Sequence, residues 1–326
     1  MSIITIIVPA YNEEEVLELF YESLNKTLNS ISFYNFELLF VNDGSKDNTL
    51  QIIKNLALDD NRISYLNLSR NYGKEAAMAA GFDYAKGKAI IIMDADLQHP
   101  PEVIPEMIQY WEQGYDDVYA KRLKREGEAF LKKFTSKMYY RTLQKTTQIP
   151  ILPDAGDFRL LDQRCVEALK QLRESQRYTK GMYSWIGFKK KEITFEAAPR
   201  AGGETKWSYT NLIELALEGI TSFTTFPLRL SSIFGFAISI FSFIYLIFII
   251  VKTLFTGSDV SGYPSMMVVI LFLGGIQLLS LGIIGEYLGR IFTETKNRPL
   301  YFIDEYSNRA EPTYEESNIE RRVRKH

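Results

Sequence analysis

Residues 89–102, "AIIIMDADLQHPPE", end an apolar run in two carboxylates one residue apart, then an amide and an imidazole. In an extended segment residues i, i+2 and i+4 face the same way. Asp94, Asp96 and Gln98 are therefore expected to present three oxygen donors on one side. Carboxylate and amide oxygens are hard ligands, suited to Mg²⁺ or Mn²⁺ bridging a diphosphate. The competing reading is that Asp96 or His99 caps a helix opening at Pro100 and Pro101, where proline is tolerated. Zinc would want more partners than the two histidines of the chain supply. A D-x-D pair alone does not decide between these readings.

The elements that must position these residues are legible in the hydropathy pattern. Ile3 to Val8, Phe36 to Val41, Ile63 to Leu68 and Ala89 to Met93 are apolar, β-branched runs, as expected of buried strands. Between them lie helical patterns, the first with Asn12 and Glu15 spaced as a helix start. Strands alternating with helices predict a doubly wound, mostly parallel α/β sheet covered on both faces. Such sheets bind ligands at the carboxyl ends of their strands. Asn12, Asp43 and Asp94 all follow strands directly, and no G-x-G-x-x-G follows the first, so the dinucleotide fingerprint is absent. Carboxylates and amides at this edge suit ribose hydroxyls, a base edge and a metal.

The rest of the 326 residues is asymmetric in hydropathy, although the net charge is only −2. No charged residue lies between Arg229 and Lys252, or between Asp259 and Glu286. A helix of about 22 residues spans about 33 Å, enough to cross a bilayer core. Two membrane helices are expected, over residues 229–252 and 265–290, with an extracytoplasmic loop at 253–264. Arg229, Arg290, Lys296 and Arg298 crowd one side and Lys252 alone the other, which predicts cytoplasmic termini in a cell (inner) membrane. The start of the chain lacks a basic n-region and a cleavage site, so no signal peptide is expected. The single cysteine, Cys165, excludes an internal disulfide. Residues 1–207 form the expected cytoplasmic catalytic domain. Residues 291–326 form a cytoplasmic tail, expected to be disordered from Asp304 on.

From Lys121 to Lys145 there are nine basic residues and two acidic ones, with Phe130, Leu131, Phe134 and Met138 on one helical face. Residues 126–145 therefore read as an amphipathic helix in the membrane interface, or else as an ordinary surface helix. Residues 208–228 are a second interface candidate. Arg122 and Arg125 carry guanidinium forks that suit phosphate oxygens. Arg200 and Lys206, in a glycine-bearing loop, would help neutralise a diphosphate. Gly274, Gly275, Gly282, Gly285 and Gly289 permit close helix packing, between subunits of a homo-oligomer or within one hairpin.

In this order, "VPAYNEEE", "VNDGSKDNT", "SRNYGKEAAMAAG" and "DADLQHPPE" resemble the family 2 glycosyltransferases. With "AKRLKREGE", "DAGDFRLLD", "PRAGGETKW" and the two apolar runs, the chain is similar to the bacterial polyprenyl-phosphate (undecaprenyl-phosphate) glycosyltransferases, relatives of dolichyl-phosphate mannose synthase. The likeness covers about Ile3 to Arg298. It implies the nucleotide-sugar-binding (GT-A type) form of the sheet. It implies that Pro9, Tyr11 and Glu13 line the nucleotide pocket and that Asp43 meets the base. Asp94 would lie near ribose and metal, Asp96 would be the main metal ligand, and Gln98 would complete the set. Acceptor phosphate would bind near Arg122.

Asp157 matches the family's acidic catalytic position, usually assigned as general base. A phosphate monoester has its second pKa near 6 and needs little deprotonation at neutral pH. Asp157 then either acts as base or orients the sugar or an arginine such as Arg159. The activity implied is inverting transfer of one sugar from UDP-glucose or UDP-N-acetylglucosamine to a polyprenyl phosphate at the cytoplasmic face. The product would be a lipid-linked sugar for cell-surface glycans, and nucleic acid is not an expected partner. A processive polysaccharide synthase is the first alternative, but "SQRYTKGMYSW" lacks the Q-x-x-R-W spacing. A non-enzymatic nucleotide-binding membrane scaffold is the second, opposed by acidic residues at the strand ends.

Overall fold

The computed structural model describes residues 2–123, 155–196, 226–256 and 262–308. The chain divides into two compact units, residues 1–141, 149–208 and 299–326 in one, and residues 142–148 and 209–298 in the other.

Among the described residues of the first unit, eight strands form one sheet. They are β1 (Ile3–Ala10), β2 (Asn35–Asn42), β3 (Ile63–Leu68), β4 (Ala89–Ile92), β5 (Asp117–Arg122), β6 (Ala155–Asp162), β7 (Lys190–Phe195) and β8 (Ile303–Ser307), in the order β7-β5-β6-β4-β1-β2-β3-β8. The central strands β4, β1, β2 and β3 run parallel, as the alternation of strands and helices predicts. The flanks depart from it: β6 is antiparallel to β4 and β5, and β8 is antiparallel to β3, so the sheet is mixed.

Alternation along β1 sends Ile4, Ile6 and Val8 to one face and Ile7 to the other. On the first face α1 (Leu17–Asn29) buries Leu17, Phe20, Leu24 and Leu28, one stripe at helical spacing. With it pack α2 (Thr49–Asp59) and α4 (Ile104–Glu112), through Ile53 and Met107. On the second face lie α3 (Lys74–Tyr84) and α5 (Gln163–Gln171). The alanines of α3 let it lie flat on the sheet, and a Cβ at Gly81 would stand 2.5 Å from Ile7 Cγ2. A short helix, α6 (Thr179–Trp185), completes this layer.

Two sequence expectations are corrected here. Asn12 does not cap α1, which begins after Val16 without a side-chain cap. Asn12 instead turns the chain at φ 53°, and its Oδ1 accepts from Lys46 N at 2.8 Å. The chain does not lose its order at Asp304, because Ile303–Ser307 form β8; the rest of the expected disordered tail, from residue 309 on, lies outside the described residues. The burial of β8 alternates only weakly. Polar partners hold it: Lys54 Nζ and Tyr65 Oη each donate to Glu305 at 2.6 Å.

The second unit contains α7 (Phe226–Thr256) and α8 (Tyr263–Thr295). Among the described residues one stretch, Phe272–Thr295, is long and apolar enough to cross a membrane, and the apolar stretch Leu230–Tyr245 is shorter. Phe234, Phe241, Leu254 and Leu278 are all more than half exposed along these helices. A Cβ at any of Gly274, Gly275, Gly282, Gly285 or Gly289 would meet nothing within 4 Å.

Candidate active site

The carboxyl ends of β1, β2 and β4, with β6 beside them, bring most of the described candidate residues to one edge. Beyond β4 the chain turns instead of staying extended. Leu97 has φ 59°, and the Gln98 N–H donates back to Asp96 Oδ1 at 3.1 Å. Asp94, Asp96 and Gln98 thus do not share the face of a strand. Neither Asp96 nor His99 caps the short turn at Pro101–Val103, which has no side-chain cap. His99 Nδ1 accepts from the Asp94 N–H at 3.2 Å, and its ring stacks on Phe158 with centroids 4.8 Å apart. Burial lowers the imidazole below its ordinary value, which favours the neutral ring that this acceptor role requires.

Asp157, on β6, faces Asp94 across a lysine. The Lys74 ammonium lies 2.7 Å from Asp94 and 2.9 Å from Asp157. Burial opposes its charge, but the two carboxylates outweigh that and raise its pKa. Burial would likewise raise Asp157, yet Lys74 and Lys180 draw its carboxyl down to about 2. Its Oδ1 is buried without a hydrogen-bond partner among the described residues. Lys74 is a site residue that the sequence reading missed. A signal was present: a lysine at the first position of a helix works against the macrodipole, so some other interaction must favour it. Glu75, next to it, accepts from the Thr179 N–H at 3.1 Å and from its hydroxyl, tying α6 to the start of α3.

Arg159 does not serve Asp157 as its principal partner. It is buried with Asp117, its Nη1 at 3.0 and 3.2 Å from the two carboxylate oxygens, and its guanidinium lies 3.6 Å over the Tyr183 ring. Arg122 ends β5 half-buried, and its Nη2 is buried with no hydrogen-bond partner among the described residues. Such a nitrogen suits an anionic oxygen. Arg125, Arg200, Lys206 and the helix expected over 126–145 lie outside the described residues, as do 208–225 of the second interface candidate.

Of the residues expected to line a nucleotide pocket, Pro9 and Tyr11 are half-buried at the end of β1, and the Glu13 N–H donates to Thr49 Oγ1 at 2.8 Å. Asp43 is only 3% exposed and accepts from Tyr72 N at 2.7 Å and Gly73 N at 2.9 Å, which fixes the entry to α3. Burial raises its carboxyl above the ordinary range against these amides and Arg70. Gly44, at φ 64°, lets this loop approach closely: a Cβ there would stand 2.4 Å from the Arg70 carbonyl carbon. Asp43→Ala should leave two amides without acceptors and cost about 2 kcal/mol or more. A fall in melting temperature together with a raised donor KM is the expected result. An unchanged melting temperature would confine the carboxylate to the nucleotide alone.

Residues 5–170, from β1 to the end of α5 and including each of these carboxylates, match the family described as glycosyl transferase family 2. The chain belongs to glycosyltransferase family 2. It is an enzyme of glycosyl transfer, and its mixed sheet is the GT-A type α/β fold. This glycosyltransferase is 48% identical over 302 residues to an uncharacterized glycosyltransferase of Synechocystis sp., covering 93% of this chain and 95% of that one. It is 44% identical over 309 residues to the SfII prophage-derived bactoprenol glucosyl transferase of Shigella flexneri, covering 95% and 99%. Among solved structures, mannosyl-3-phosphoglycerate synthase from Rubrobacter xylanophilus aligns with TM-score 0.47 and 13% identity, covering 67% of this chain and 71% of that one.

Among the described residues of this glycosyltransferase, no three His, Cys, Asp or Glu side chains are grouped to hold a metal. The charge balance of the site nevertheless fits a divalent cation. Asp94, Asp96 and Asp157 gather around His99 against two ammoniums, Lys74, which bridges Asp94 and Asp157, and Lys180, and Asp157 Oδ1 has no hydrogen-bond partner among the described residues.

Proposed function

We propose that the protein transfers one sugar, most simply glucose, from a UDP-sugar to a polyprenyl phosphate. The observation that carries this reading is the Asp94–Lys74–Asp157 constellation at the strand ends of a family 2 glycosyltransferase. Similarity to a relative named for glucosyl transfer to bactoprenol supports the acceptor and the sugar. Pro9, Tyr11, Glu13, Asp43 and Asp94 form the nucleotide side of the pocket. Asp94 and Asp96, with Gln98, would hold a Mg²⁺ or Mn²⁺ ion, which would supply positive charge to offset the leaving diphosphate. Arg122 receives the acceptor phosphate on Nη2, which has no hydrogen-bond partner among the described residues, with Arg125, Arg200 and Lys206 adding positive charge. One phosphate oxygen forms a bond to the anomeric carbon while the bond to the nucleoside diphosphate breaks, inverting that carbon. Lys74 bridges Asp94 and Asp157 and holds both in place beside the reacting atoms.

The catalytic domain, residues 1–207, belongs on the cytoplasmic face, with α7 and α8 in the bilayer. The return of the chain into the sheet supports two crossings over one. β3 precedes both long helices and β8 follows them, yet the two strands are hydrogen-bonded to each other. An even number of crossings keeps them on one side. The exposed apolar faces of α7 and α8 agree with lipid as their surroundings. The test is transfer of radiolabel from UDP-glucose, with Mn²⁺ or Mg²⁺, into an organic-extractable, mild-acid-labile lipid in membranes supplied with polyprenyl phosphate. Label that stays water-soluble, or enters a polymer, overturns the reading.

A further inference from the structure

The strand that follows the membrane-spanning candidates is joined to the donor side of the site by an unbroken run of hydrogen bonds. Asp304, on β8, accepts from Asn67 Nδ2 at 3.2 Å. Asn67 Oδ1 accepts from Asn42 Nδ2 at 2.7 Å. Asn42 Oδ1 accepts from the Ser45 hydroxyl at 2.5 Å, and Ser45 Oγ accepts from the Asn12 backbone N–H at 3.0 Å. The run follows the sheet register, since Ala10 is opposite Asn42 and Asn42 is opposite Asn67. It ends in the β1–α1 loop, between Tyr11 and Glu13.

The direction of this run is set at its far end. A carboxylate only accepts, so Asp304 requires the Asn67 NH₂ group to face it. Asn67 Oδ1 must then face Asn42 Nδ2, which leaves Asn42 Oδ1 for the serine hydroxyl and the Ser45 oxygen for Asn12. Reversing the Asn67 amide would set oxygen against carboxylate and nitrogen against nitrogen. Asn42 and Asn67 are 1% and 8% exposed, so the middle of the run is shielded from water, while Asp304 at its end is exposed.

We propose that Asp304 is a positioning residue for donor binding: acting through Asn67, Asn42 and Ser45, it fixes the loop that carries Tyr11 and Glu13. The inference rests on the reading of that loop as part of the nucleotide pocket. Donor affinity thereby depends on docking of the segment beyond α8.

The test is UDP affinity of the full-length protein in detergent with Mn²⁺, by titration calorimetry. Losing one linking hydrogen bond should weaken UDP about fivefold in Asp304→Ala and in Ser45→Ala. The double variant should be no weaker than Ser45→Ala, because both changes break one run. Asp304→Asn, which keeps an acceptor for Asn67, should stay within about twofold of wild type. Glu305→Gln, which loosens the Lys54 contact of β8 without touching the run, should bind UDP as wild type does. Wild-type affinity in Asp304→Ala, additive losses in the double variant, or an equal loss in Glu305→Gln would each overturn the proposal. Tyr11→Ala in the same assay separates the two readings. If it leaves UDP binding unchanged, the pocket assignment fails and the inference falls with it; if it weakens binding while Asp304→Ala does not, only the inference falls.

Discussion

Replacing Asp96 by alanine is expected to lower transfer by at least about a thousandfold while the fold survives, the scale expected when a principal electrostatic contact to the reacting group is lost. Asp96 is half-buried in the turn after β4, outside both hydrophobic cores, and accepts the local hydrogen bond from Gln98 N. Its removal therefore leaves the sheet intact. The melting temperature should change by no more than a few degrees. Mn²⁺ binding, followed by the loss of the free-ion paramagnetic signal, should weaken in parallel with turnover. Asp96→Asn should fall between the two, since an amide keeps one oxygen donor but no charge. Near-normal turnover of the alanine variant at saturating metal would remove Asp96 from the metal site.

Asp157→Asn is expected to lose about ten- to a hundredfold in kcat, with a pH dependence of unchanged shape. The reason lies in relative acidities. Lys74 and Lys180 hold the Asp157 carboxyl at about 2. The second ionisation of a phosphate monoester is near 6. Moving a proton from that phosphate to this carboxylate is uphill by about four pK units, or about 5 kcal/mol. Asp157 is thus a poor base and a well-placed anchor for Lys74. Wild type should gain rate as pH rises through about 6, when the acceptor becomes a dianion, and level off above about 7. The asparagine variant should trace the same curve at a lower level, because the amide still accepts one hydrogen bond from Lys74. A loss of several orders of magnitude that alkali restores would make Asp157 the base after all.

The sequence by itself determined the central parallel strands, because β-branched apolar runs of four to eight residues have few other stable uses. It also determined that Asn12, Asp43 and Asp94 stand at one sheet edge, since each directly follows such a strand. Strand alternation could not determine how Asp94, Asp96 and Gln98 are aimed, because the positive φ of Leu97 turns the chain just past β4. Nor could it assign the partners of charged groups. Asp157 and Arg159 are two residues apart on one strand, yet Asp157 meets Lys74 from α3 while Arg159 is buried with Asp117 from β5. Those pairings come from elements distant in the chain, and composition carries no trace of them. The strand β8 is the clearest case. "IDEYS" has too little apolar alternation to read as a strand, because polar contacts to Lys54, Tyr65 and Asn67 hold it at the sheet edge. Hydropathy registers what is removed from water, whereas a hydrogen-bonded edge is decided only when its partners are already in place.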